Sequence, residues 1–125
     1  MFQNSLNNYR EMHKESLSGR DLEASILTRA AHMLRNVQEN WEAPERDEKL
    51  LEAIKFNQKV WSLFQAELSD PDNPLPLNLK QDILNLSIFV DKRLFAVLAN
   101  PCRDDLTIAI DINLNIAAGL MTKPA

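Results

Sequence analysis

The sequence predicts an all-α chain folded as a single compact bundle of about four to five helices. Three observations carry this. Long segments repeat apolar residues at helical spacing. Only Gly19 and Gly119 are glycine, whereas sandwiches and barrels lean on Gly-rich turns. Prolines fall between the periodic segments and not within them, where they would break a helix. With 125 residues, 45% of them hydrophobic, the chain has the size and apolar content for one core, so residues 1–125 read as one domain. Within it, 1–17 read as a weakly structured N-terminal segment and 121–125 as a tail.

At most a short, weak helix is predicted over Asn4 to Glu15. A clear start signal follows at Ser18-Gly19-Arg20-Asp21, where Ser18 can accept from the first-turn amides and an acid stands three residues on. From there Leu22, Ile26, Met33 and Val37 recur on one face, broadened by Leu27, Leu34 and Trp41. This helix should run to about Asn40. Pro44 can open the next helix, because its missing N–H is not needed in a first turn. Glu45, Asp47 and Glu48 suit the positive end of the helix dipole. Leu50, Ile54, Trp61, Phe64 and Leu68 form its core stripe, which stops before the proline-rich connector at residues 69–76.

Pro76 can open the third long helix, with Leu79, Ile83, Leu86, Val90, Leu94 and Val97 as core stripe and Asn100-Pro101 as its end. Asp104 is a plausible cap for a last helix closing at Gly119. One segment pulls the other way. Leu106, Ile108, Ile110, Ile112, Leu114 and Ile116 alternate with period two, as strands do. A lone strand has no partner for its backbone groups, however, and no second convincing strand exists in the chain. Leu106, Ile110, Leu114 and Ala117 also share one helical face, so helix is predicted.

Charge and motifs narrow the function. The net charge is −4, and Lys92-Arg93 is the only adjacent basic pair, so no basic stripe invites nucleic acid. No apolar run approaches membrane-span length, and the polar N-terminus lacks a signal-peptide core, which places the protein in the cytoplasm as an expectation. Cys102 stands alone, so no disulfide within the chain is possible. His13 and His32 show no metal-type spacing to Cys102 or to each other. Asp104 and Asp105 beside Cys102 would weaken it as a nucleophile. Two distant glycines allow no phosphate loop, and no serine stands in a nucleophile elbow. The chain therefore reads as a protein-binding module, not an enzyme, with no metal and no cofactor.

Surplus apolar residues are what remain. Leu77, Leu84, Ile88 and Phe95 fall within about 40° of one another on the third long helix, roughly 120° from its core stripe. Phe56, Val60 and Leu63 form a smaller second stripe on the helix before it. One reading makes both helices central, touching neighbours on two sides. The other makes a stripe a groove for a partner helix, with Leu84, Ile88 and Phe95, helped by Phe56 and Leu63, as partner-binding residues.

The middle of the chain resembles a known family. The stretch at residues 60–90 is similar to the alphaproteobacterial flagellar biosynthesis regulator FlaF. The residues that carry the likeness are Trp61, Phe64, Glu67-Leu68, Pro71-Asp72-Asn73-Pro74-Leu75-Pro76 and Leu79. The ending, residues 110–120, resembles the family's Ile-Asp/Glu-x-Asn-x-x-Ile-x-x-Gly-Leu pattern, and Tyr9 and Arg20-Asp21-Leu22-Glu23-Ala24 also fit. Phe89 departs from a common Trp, and Asn78 from a common Glu. The resemblance implies a helical ending and a role in making and exporting flagellin, the filament subunit. It implies a flagellin-specific secretion chaperone and positive regulator that works opposite FlbT, a regulator of flagellin mRNA. The expected partner is then a terminal amphipathic segment of flagellin, with FlbT a further one. The alternative is a post-transcriptional regulator of flagellin mRNA translation acting with FlbT, against which the acidic balance argues. A small enzyme is a third, weaker reading.

Overall fold

The computed structural model describes residues 19–121. The predicted weak helix at Asn4 to Glu15, the Ser18 cap, Tyr9, His13 and residues 122–125 of the tail lie outside them. Among the described residues four α-helices follow in order: α1 (Gly19–Glu39), α2 (Arg46–Ser69), α3 (Leu77–Ala99) and α4 (Thr107–Met121), with a short 3-10 turn at Arg103–Leu106 leading into α4. No strand occurs among the described residues. The alternating segment is helical. Leu106, Ala109, Ile110, Asn113 and Ala117 are its buried face, while Ile108 is exposed.

Short connectors make consecutive helices neighbours. α1 packs on both α2 and α4, α2 joins α1 to α3, and α3 also touches α4 and the 3-10 turn. Small buried residues, Ala24, Ala30 and Ala31 on α1 with Ala109 and Ala117 on α4, suit the close α1–α4 approach. The predicted α2 stripe is buried throughout: Leu50, Ile54, Trp61, Phe64 and Leu68. Trp61 is fully buried and stacks obliquely on Phe64, with ring centroids 5.8 Å apart.

Several boundaries differ from the prediction. α2 begins at Arg46, and Pro44 lies in the turn before it. There the Arg46 guanidinium covers the Trp41 ring at 4.3 Å, closing the α1–α2 corner. Asp104 sits inside the 3-10 turn instead of capping α4. That turn is held to the end of α1 by a reciprocal pair: Gln38 Nε2 donates to the Arg103 carbonyl, and Arg103 Nε to the Gln38 carbonyl, each at 3.0 Å. Gly119 does not end α4, which continues to Met121 without a left-handed residue. On α3, Leu79 is exposed and Leu86 only half-buried; Ser87 takes a core place the prediction gave to leucine.

Candidate functional site

α3 is the helix that the bundle covers least well. Its buried face is Ile83, Ser87, Val90, Leu94 and Val97. About a third of a turn away, Leu77 is 71% exposed, Ile88 51% and Phe95 65%, with Leu84 half-buried between them. These four form one apolar stripe along the outside of the helix. Phe89 is exposed on the opposite flank, where the Arg93 guanidinium lies 5.6 Å from its ring centroid.

Leu84, Ile88 and Phe95, three of the five predicted partner-binding residues, thus share this surface. The other two do not. Leu63 is half-buried in the seam between α1 and α2, where it lines a small cleft of about 130 Å³ with Leu22, Ile26 and Val60. Phe56 is only 4% exposed and corrects the expectation of an open second stripe on α2. The physical reason is that α2 has neighbours on two sides, so its buried arc is wide enough to include Phe56. The Arg29 guanidinium of α1 lies over the Phe56 ring at 5.7 Å.

The orientation of the stripe is fixed by polar contacts between α2 and α3. Gln65 Nε2 donates to Ser87 Oγ at 3.0 Å and reaches Asp91 Oδ2 at 3.4 Å; Ser87 Oγ donates to the Leu84 carbonyl at 2.7 Å. Desolvation raises the Asp91 carboxyl above its ordinary pKa, and the Gln65 hydrogen bond opposes this only in part. Deeper in the bundle, a second chain of bonds ties three helices. Trp61 Nε1 donates to Asn113 Oδ1 at 3.0 Å, and Asn113 Nδ2 donates to Asn57 Oδ1. Asn57 Nδ2 then donates to the carbonyls of Ala30 and Ala53. Asn57, Ser87 and Asn113 are fully buried, and composition and periodicity pointed to none of them. For Asn113 alone there was a signal, the resemblance itself, in which Trp61 and Asn113 are both motif residues; Asn57 and Ser87 had none.

At one end of the bundle lies a cleft of about 380 Å³. Phe64, Leu68, Pro74, Leu75, Ile116 and Leu120 line it, and all six belong to the motif strings that carry the family resemblance. The connector beside it is shaped by Asn73. Its Nδ2 donates to the Glu67 carbonyl at 3.1 Å, and its Oδ1 accepts from the Leu75 N–H at 3.0 Å.

Among the described residues no three His, Cys, Asp or Glu side chains gather as a metal site. His32 faces an open groove on α1, and Cys102 is exposed in the connector after α3. No described helix is long and apolar enough to cross a membrane.

A family model described as flagellar protein FlaF matches residues 5–120 of the chain. No curated protein and no solved structure matches it.

Proposed function

We propose that this chain, which belongs to the FlaF family of flagellar proteins, acts as a flagellin-binding secretion chaperone and regulator, needed for production and export of the filament subunit. The observation that carries the reading is the open stripe of α3, with Leu77, Ile88 and Phe95 each at least half exposed and held at a fixed angle by the Gln65–Ser87 contact. Such a stripe suits an amphipathic helix laid along it, read by anchors spaced three, four and seven residues apart. The terminal segments of flagellin are amphipathic helices that associate in the filament, and in the cytoplasm their apolar faces would aggregate or polymerise early. A helix docked on α3 is shielded and stays exportable. Affinity comes from apolar burial, less the cost of ordering the segment.

The test is a titration of purified flagellin with this protein, in parallel with flagellin mRNA. The chaperone reading expects saturable binding to flagellin that persists at high salt, because apolar burial is not screened as charge contacts are. It expects no shift of the mRNA. Binding to the mRNA with steep salt dependence, and none to flagellin, would replace it with the translational reading in which the protein acts alongside FlbT.

A further inference from the structure

The exposed stripe of α3 has a property that goes beyond its apolar character. Leu77, Leu84, Ile88 and Phe95 are spaced seven, four and seven residues apart, so the order of spacings is the same read from either end. Gln81 and Asp91 complete the 3-4 repeat of the seam, and they too lie at equal distances from its middle. We infer that α3 pairs antiparallel with α3 of a second copy of this chain, about a two-fold axis at the level of Leu86.

In that arrangement Leu77 meets Phe95 of the partner subunit, and Leu84 meets Ile88 of the partner subunit. Each contact is made twice, as a two-fold interface requires. Charge settles the direction. The antiparallel pair sets the Gln81 carboxamide against Asp91 of the partner subunit, a donor against an acceptor. A parallel pair would set Asp91 against Asp91 of the partner subunit, two carboxylates already short of solvent, and like charges held together in a seam are disfavoured. Along the open flank of the stripe stand Asn78, Asn85 and Lys92. The two-fold brings Lys92 opposite Asn78 of the partner subunit, so no like charges meet there.

The area fits a reversible dimer. The stripe runs about 27 Å along the helix at 1.5 Å per residue. A stable interface buries about 800 Å² per partner, and one helix stripe supplies less than that. Pairing should therefore be weak and depend on concentration in the micromolar range. It would cover the stripe when no client is present and yield it to a client that binds more tightly. The inference rests on the geometry of α3 and holds whatever the client is.

The test uses the full chain without flagellin, so its outcome is separate from that of the flagellin titration. Sedimentation equilibrium from low micromolar to submillimolar concentration should show a monomer–dimer equilibrium. Phe95→Glu, a substitution at an exposed position, should weaken it by at least about tenfold while its circular dichroism melt stays near that of the parent. A monomer at all concentrations overturns the inference, as does a dimer unaffected by Phe95→Glu. Direction is read by cross-linking in a Cys102→Ser background. A mixture of Leu77→Cys and Phe95→Cys chains should form the mixed disulfide faster than either variant alone forms its own. Faster like-with-like cross-linking would mean a parallel pair and overturn it too.

Discussion

Trp61 on α2 donates its indole N–H to Asn113 Oδ1 on α4 at 3.0 Å, deep inside the bundle. Both residues stand in the stretches that carry the resemblance, one in the central stretch and one in the ending. Their relationship explains why those types stand there. Indole is a donor only, and a buried indole N–H needs an acceptor. Asn113 supplies it and passes the chain on to Asn57, which ends on the Ala30 and Ala53 carbonyls. These bonds tie α1, α2 and α4 together.

Trp61→Phe should therefore keep an aromatic side chain but lose the bond and some volume, leaving Asn113 Oδ1 buried without its donor. The expected cost is about 1–3 kcal/mol in urea unfolding. Trp61→Ala should cost more, about 3–5 kcal/mol. A double-mutant cycle of Trp61→Phe with Asn113→Ala should show coupling, since the two share one bond. Additive effects would mean the bond contributes nothing to stability.

Asn73 braces the connector between α2 and α3 through two bonds, one as donor and one as acceptor. Asn73→Ala should destabilise by about 1 kcal/mol and raise amide exchange at Leu75, whose N–H loses its acceptor. Unchanged exchange at Leu75 would show that the flanking prolines hold the connector unaided.

Asp91 gives a pH dependence with a definite sign. Its folded pKa lies above the ordinary 3.8, because burial disfavours the carboxylate. Below that ordinary value both folded and unfolded chains hold the proton, and the group is neutral to stability. As pH rises the unfolded chain ionises first, so the folded state is progressively disfavoured. Asp91→Asn removes this and retains an acceptor for Gln65. The variant should melt above the parent at neutral pH, and the gap should close as pH falls toward the ordinary carboxylate range. A gap that widens toward acid would reverse the sign and mean that the carboxylate is stabilised in the fold.

The helices were legible in the sequence because their apolar spacing and proline boundaries agree with each other. The core place of Trp61 followed from the stripe it shares with Leu50 and Ile54. What was not legible has a common cause: periodicity locates a face, but not which neighbours a helix has. Phe56 fits either a central helix or a partner groove on periodicity alone, and the packing of α1 and α3 on α2 decides for the core. Leu79 fits the core stripe by spacing, yet it stands in the first turn of α3 and is exposed. Asn57, Ser87 and Asn113 were invisible to hydrophobic patterning, since each is a polar residue at a core position made tolerable by its hydrogen bonds. On α3 the second stripe was legible in full, and it is exposed because α2, α4 and the 3-10 turn do not cover it.

The central claim, that the α3 stripe receives flagellin, is tested most directly by Ile88→Asp in a paired measurement of melting and flagellin binding. Ile88 is 51% exposed in the free protein, so the carboxylate stays solvated and the melt should lie near the parent's. In the complex the same carboxylate would be desolvated without a partner, at a cost of about 2 kcal/mol or more, so flagellin binding should weaken at least about thirtyfold. A variant that melts normally and still binds flagellin with parental affinity would contradict the account, and the flagellin surface would then lie elsewhere on the bundle.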